Sequence, residues 1–341
     1  MTGGTPPYTY FLTNLPELND TDNRFFVIDG LHIKINVPDL TQSVYYLNFG
    51  VMDSNGKTFL KREEFTIYLD PISKEQEIRE IDGIQFAMRY ISPGVFTTRP
   101  LINFGPRESP TAITVSTGYW MSETEVTQEL FQSVMGFNPS MYSSDPASGE
   151  LQSKRPVENI TFIEAKVFCN RLSIKTGKEP VYSLNGVDDW LSFPNELING
   201  IDKNLFIELS TADGYRIPSV YEWQWAAIGA DIGGFNTDGY KKAYSGGPIN
   251  GTNEGLDDYV WYYSNSDLKT HEVGRKLANE VGIYDMSGNV WEYISDGYSM
   301  GWAFVEESYG FYSENLIYQD MLDTDPHNPH APTGIRLVSN K

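Results

Sequence analysis

The sequence predicts an α+β protein in two parts: a small all-β domain, then a larger one in which short, well-capped helices punctuate long loops. Two observations carry this. From Tyr8 to Leu69, short runs rich in β-branched and aromatic residues alternate with turn residues, and no stretch has helical spacing. From about Gly83 the texture changes to loops rich in Gly, Asn and Asp, interrupted by three explicit helix-start signals. Thirty Gly, 19 Pro and 14% aromatic residues suit such a chain, because turns need the first two and packing without long helices leans on the rings.

In the first part the runs are "YTYFL", "FFVIDGLHIKIN", "SVYYLNFGVMDSNGKTF" and "EFTIYL". Asp29-Gly30 and Asn55-Gly56 each sit between β-rich runs and read as hairpin turns, since Asp-Gly and Asn-Gly accept the positive φ that tight hairpins require. Residues 1–72 are therefore expected to form a small β-sandwich, immunoglobulin-like or cadherin-like in the order of its pieces. Asp20, Asp22 and Asp53 are either solvated turn residues or ligands for calcium between repeats. The stretch "SKEQEIREID" follows Pro71, is charged and lacks a core pattern, so residues 73–82 read as a linker to a domain spanning 83–341.

The helix signals of the second part are local and chemical. Thr127 can cap the free N–H groups of a helix that Gly136 ends. Thr161 with Glu164, and Ser219 with Glu222, have capping-box spacing. The second helix places Ala165, Phe168, Cys169 and Leu172 on one apolar stripe, so Cys169 belongs to the core. The stretch from Trp190 to Thr211 carries no readable pattern.

Composition excludes several functions. With 25 Lys+Arg against 46 Asp+Glu the net charge is -21, and no basic run offsets it, which argues against nucleic acid and anionic lipid. One cysteine rules out an internal disulfide, a CxxC redox pair and a zinc ribbon. Four scattered histidines supply a catalytic metal poorly; His271 reads as a hydrogen-bonded structural residue. No apolar run is long enough to insert in a membrane, and the N-terminus lacks the basic and apolar regions of a signal peptide. The chain opens inside what reads as a strand, as a piece of a longer protein would.

In order, the second part contains "SETEVTQELFQSVMGFNPS", "RPVENITFIEAKVFCNRLS", "GYRIPSVYEWQWAA", "KTHEVGRKLANEVGIYDMSGNVWEY" and a final "GIRLV". Together these strings resemble the formylglycine-generating-enzyme (sulfatase-modifying factor) family, an elaborated C-type lectin fold, over roughly Gly83 to Lys341. The resemblance implies the fold, with His271 in a segment that runs along a strand. It does not imply the activity. Catalytic members hold copper with a late pair of cysteines, and nothing after Cys169 offers a thiol. Relatives that use iron draw ligands from a His-rich helical domain that is not represented here. Neither copper nor iron is expected. The resemblance also implies a structural calcium ion held by Asp285, Gly288, Val290 and Glu292, the alternative being that both carboxylates accept backbone N–H bonds in a tight loop. A second family calcium site is put in doubt by Tyr259, where Asn is expected.

The sequence departs from the family between its last two motifs. An Arg-Gly-Gly-Ser-Trp strand is replaced by a segment holding Tyr298, Ser299, Trp302, Phe304, Tyr309, Phe311, Tyr312, Tyr318, His327 and His330, in which Gly301-Trp302 is the apparent remnant. Tyr among Ser, Gly and Asn is the chemistry of adaptable recognition surfaces, and these ten residues are the candidate ligand contacts. The alternative for each ring is core packing. The His327/His330 pair is also a weak candidate metal site. Some proteins of this lectin class resemble the variable proteins of diversity-generating retroelements, whose last few dozen residues are diversified, and the composition here is compatible with that. The expected function is non-catalytic recognition of a protein or other macromolecular receptor on a cell surface, displayed outside a cell, on a cell surface or on a virion. The alternative is a metal-dependent oxygenase-type enzyme of the same fold.

Overall fold

A computed structural model describes residues 75–98, 111–187, 189–230, 242–248, 252–307 and 332–340, together with isolated strands elsewhere. The chain divides into two compact units, Met1–Pro71 and Ile72–Asp231 with Phe235–Lys341.

In the first unit the backbone shows β1 (Thr9–Leu12), β2 (Phe26–Asp29), β3 (His32–Ile35), β4 (Val44–Met52) and β5 (Thr58–Thr66). β2 and β3 pair with Asp29 opposite His32, and β4 and β5 pair with Met52 opposite Thr58. Both hairpins lie where Asp29-Gly30 and Asn55-Gly56 place them. β1, β4 and β5 make a three-stranded sheet, while β2 and β3 stand as a pair.

The second unit begins earlier than the sequence suggests. β6 (Gln76–Ile81) lies within the stretch read as a linker and pairs antiparallel with β7 (Ile84–Ile91) across an Asp82-Gly83 turn with positive φ at both residues. The charge that made it look like a linker is the dress of an edge strand, which protects an open sheet edge from further pairing. After the β8 (Gly94–Thr98) and β9 (Thr111–Val115) hairpin come β10 (Tyr119–Ser122), β11 (Tyr182–Ser183), β12 (Ile207–Glu208) and β13 (Tyr215–Arg216). The final strand, β18 (Val338–Asn340), inserts between β13 and β10 in a five-stranded sheet ordered β13-β18-β10-β7-β6. This threads the last motif through the core and leaves Arg336 fully buried.

The three helices form as their caps predict. α1 (Gln128–Met135) is capped by Thr127 and closed by Gly136 at φ 83. α2 (Phe162–Lys175) and α3 (Val220–Ala227) each carry a complete capping box, Thr161 with Glu164 and Ser219 with Glu222. A fourth, α4 (Leu256–Tyr259), is a single turn. α2 is buried all round rather than along one stripe, since even Asn170 and Ser173 are inaccessible. The cover on its outer side is the patternless stretch after Trp190. Arg171 clasps it, donating from Nε to the Trp190 carbonyl at 2.9 Å, from one terminal nitrogen to Asn195 Oδ1 at 2.7 Å and from the other to the Phe193 carbonyl at 2.5 Å.

Cys169 is fully buried, and burial pushes its thiol well above its ordinary range. Its reaction with a thiol reagent is expected to be slower in the native protein than in denaturant by on the order of 100-fold or more, because access requires opening of α2. Comparable rates would mean that the helix register is wrong.

Candidate recognition surface

The candidate surface rests on one tight loop. Asp285, Gly288 and Asn289 all have positive φ, and a Cβ on Gly288 would lie 2.3 Å from the Trp261 carbonyl oxygen, so only glycine fits. Asn289 then ties three segments together. Its Nδ2 donates to Glu125 Oε2 and to the His271 carbonyl, each at 3.2 Å, while its Oδ1 accepts from the His271 backbone N–H at 2.9 Å. Its backbone N–H donates to Trp261, and its carbonyl accepts from Phe304. The loop leads into β14 (Trp291–Tyr293), which pairs antiparallel with β15 (Tyr298–Met300) and parallel with β17 (Thr333–Gly334); β16 (Leu322–Asp323) completes the sheet beyond β15.

Beneath the loop, the Arg336 guanidinium meets both oxygens of Glu292 at 2.6 to 3.0 Å, and Trp223 Nε1 donates to Glu292 Oε2 at 2.7 Å. All three side chains are buried. This tests the calcium site that the resemblance implies. A carboxylate whose oxygens are taken by a guanidinium and an indole has no free lone pair pointing at a second cation, and Arg336 would repel one. Asp285 gives one oxygen to the Gly274 N–H at 2.7 Å. Among the described residues no group of three or more His, Cys, Asp or Glu side chains is placed to hold a metal. Glu292 is thus committed to Arg336, the fixed cation of this loop.

A residue that sequence reading missed, Glu125, completes the charge arrangement. Burial pushes its carboxyl well above the carboxylate range, with Asp285 and Glu292 adding to the rise; burial likewise raises Asp285 to about 6. One oxygen on each, Glu125 Oε1 and Asp285 Oδ1, is buried without a hydrogen-bond partner. No local signal marks Glu125, because its neighbours Glu123 and Glu129 are ordinary partners of Arg89 and Lys154.

His271 is a hydrogen-bonded structural residue, with Nδ1 at 2.8 Å from Glu150 Oε1, Nε2 at 2.9 Å from the Ser266 carbonyl and its ring stacked 3.7 Å from Trp261. The strand expected around it is absent: residues 269–277 run as bends and turns. Side chains take the place of a partner strand, since Asn289 and Asp285 accept the backbone N–H groups of His271 and Gly274.

The rebuilt segment divides residue by residue. Ser299 and Phe304 are fully buried, so as placed they pack the interior and present nothing to a ligand. Phe304 meets Tyr142 edge-on at 4.9 Å, and β14 and β16 enclose β15 on both sides. Tyr298 and Trp302 are half-buried, with Trp302 at φ 65 and stacked 5.5 Å from Trp291. Val305 is 39% exposed. Tyr309, Phe311, Tyr312, Tyr318, His327 and His330 lie outside the described residues. Two further aromatic groups meet this segment: half-buried Tyr142 through Phe304, and exposed Tyr263 through its N–H to the Glu306 carbonyl at 2.9 Å. Both stand in Tyr-Ser contexts, "MYSS" and "YYSN", the same compositional signal that singled out the C-terminal segment.

The family model for the sulfatase-modifying factor enzyme 1-like domain matches residues 81–341. The chain belongs to this family. Among solved structures it is similar to Treponema denticola variable protein 1, at 30% identity and a TM-score of 0.67, over 78% of this chain and 99% of that one. CarF shares the fold at a TM-score of 0.54 and 22% identity, over 77% of this chain and 99% of that one. A curated relative, the chaperone protein LppX of Paenibacillus barcinonensis, is 30% identical over 199 residues, which are 53% of this chain and 63% of the relative's length. With one cysteine in 341 residues, this family member has no cysteine pair.

Proposed function

We propose that this protein is a non-catalytic binder, in which the sulfatase-modifying-factor fold is a fixed scaffold and the segment around Tyr298 to His330 contacts a macromolecular receptor. The observation that carries the proposal is the coincidence of two facts. Likeness to a variable protein extends over 99% of that chain, and the one cysteine is sealed inside α2. In this reading the segment is diversified by a retroelement, as the variable-protein likeness and the Tyr, Ser, Gly composition favour. Tyr298, Trp302 and Val305, with Tyr142 and Tyr263 beside them, form the described part of the contact surface. The first unit serves as an immunoglobulin-like spacer, consistent with its two hairpins. Display outside a cell or on a virion follows from such a task and suits a chain of net charge -21.

Two measurements test this. Genomic sequence beside the gene is expected to contain a near-copy of its 3′ end and a reverse-transcriptase gene; finding neither would overturn diversification. The purified chain is expected to leave a cysteine-containing sulfatase peptide unoxidised with copper and oxygen supplied, and turnover of that peptide would overturn the non-catalytic reading.

A further inference from the structure

Both ring nitrogens of His271 face hydrogen-bond acceptors. Nδ1 lies 2.8 Å from Glu150 Oε1, and Nε2 lies 2.9 Å from the Ser266 carbonyl oxygen. A neutral imidazole donates from only one nitrogen, and neither a carboxylate nor a carbonyl oxygen donates at all. The pair of His271 and Glu150 therefore needs one further proton, carried on the ring as imidazolium or on the Glu150 carboxyl with the ring neutral. Glu150 is otherwise an acceptor, since its Oε2 takes the Glu272 N–H at 3.0 Å. Only 5% and 9% of the two side chains are exposed, so solvent does not replace a missing donor there.

What the pair holds is the segment after β15. The Ser266 carbonyl accepts from Nε2 and also from the Lys269 N–H at 3.2 Å, closing a turn in which Asp267 and Leu268 both have positive φ. A leucine seldom adopts that conformation, and it persists only where its surroundings fix it. Ser266 Oγ accepts from the Leu268 N–H at 3.2 Å and donates to the Phe304 carbonyl at 2.9 Å. The Phe304 N–H donates to the Asn289 carbonyl, and the Asn289 side chain bonds both the N–H and the carbonyl of His271. The circuit thus runs from the ring through Ser266, Phe304 and Asn289 back to the His271 backbone. Tyr263 joins it two residues further on, at the Glu306 carbonyl.

The charged groups around the pair are committed elsewhere. Arg155 faces Glu150 through space but donates from Nε to Thr270, and Arg275 meets Glu272. Lys276 lies 3.9 Å from the centre of the Trp261 ring, which stacks on His271, and donates to the Asp257 carbonyl. Lys269 pairs with Asp145. Glu125 and Asp285 approach from the other side, bonded to Asn289 and to the Gly274 N–H.

We infer that the His271–Glu150 pair is a pH-sensitive fastening of the recognition surface. With its proton in place, the turn at Ser266 and the segment from Phe304 are held; without it, a ring lone pair faces an acceptor and the turn releases. The inference rests on the binding reading for its purpose, although the circuit itself does not depend on a receptor. The sign follows from the proton count. The fastened form keeps a proton that a solvated imidazole gives up above about pH 6.5, so fastening is complete at low pH and is lost as pH rises.

Amide hydrogen exchange of the full chain, corrected for the intrinsic effect of pH on exchange, reads this at the Phe304 N–H. Between about pH 7 and about pH 9.5, above the range in which Asp285 titrates, its protection is expected to fall about tenfold or more. The Ser122 N–H, which bonds to the Leu337 carbonyl beside the five-stranded sheet, should keep its protection within about twofold. Glu150→Gln is the deciding variant. Its amide can donate to Nδ1 while its carbonyl keeps the Glu272 N–H, so a neutral ring is satisfied at both nitrogens and protection at Phe304 should stay high throughout. His271→Phe keeps a ring against Trp261 but donates to neither acceptor, and protection should be low throughout. Protection in the parent that does not change with pH, or a parallel fall at Ser122, would overturn the inference. So would a fall that Glu150→Gln retains, which would place the titration on another group such as Glu125. Each of these outcomes leaves the non-catalytic reading standing, since the peptide and genomic measurements decide that separately.

Discussion

Replacing Glu292 by Ala is expected to cost about 3 to 5 kcal/mol, because it strands Arg336 as a buried, unpaired cation. Against a typical domain stability of about 5 to 15 kcal/mol this approaches global unfolding. The loss should be far larger than for breaking the exposed pair of Lys269 with Asp145, where about 0 to 1 kcal/mol is usual. The penalty belongs to the unpaired charge, so exchanging both partners together, as Glu292→Leu with Arg336→Leu, should recover a substantial part of it. The same geometry fixes the response to chelator. If Arg336 is the cation of this loop, excess EDTA should leave the melting temperature unchanged, whereas a calcium site would add RT ln(1 + [L]/Kd) that chelation removes. Denaturant and thermal unfolding of the parent and the three variants, with and without EDTA, decide the matter. A chelator-sensitive parent whose sensitivity is lost in Glu292→Ala would return the site to calcium and overturn the present reading.

The contrast with sequence reading is instructive at this site. Only the resemblance to the family brings Asp285, Gly288, Val290 and Glu292 together in the sequence. The cation that meets Glu292 is not legible there, since Arg336 lies 44 residues on and reaches it only through β18 inserting between β13 and β10. The same division runs through the fold. Thr127, Thr161, Glu164, Ser219 and Glu222 act within a single turn of chain, so their caps could be read directly and are present. Arg171 organises a stretch that begins nineteen residues away, and no periodicity in that stretch announces it. β6 misled for a different reason: exposed charge is equally the signature of a solvated linker and of a protected sheet edge, and only its pairing with β7 separates the two.

Within the rebuilt C-terminal segment, Phe304→Ala and Val305→Asp are expected to give opposite results although the residues are adjacent. Phe304 is fully buried between Tyr142 and the Trp291 cluster, and its backbone is pinned at both ends, its N–H on the Asn289 carbonyl and its own carbonyl on Ser266 Oγ at 2.9 Å. Truncating such a ring usually costs about 3 to 5 kcal/mol, since the fixed backbone cannot close over the cavity. Val305 is exposed, and a polar replacement there should change stability by no more than about 0.5 kcal/mol. Trp302 should fall between them, as its half-buried ring rests on Trp291. The functional readings are reversed: Val305→Asp and Trp302→Ala should impair receptor binding by folded protein, whereas any loss in Phe304→Ala should track the unfolded fraction. A diversifiable surface on a fixed scaffold needs this separation, because positions free to vary cannot also be the ones that hold β14 and β15 in place. Chemical denaturation of the three variants measures it without knowledge of the receptor. Should Val305→Asp unfold the domain while Phe304→Ala leaves it intact, the register of the segment after β15 is inverted, and the contact surface lies on its other side.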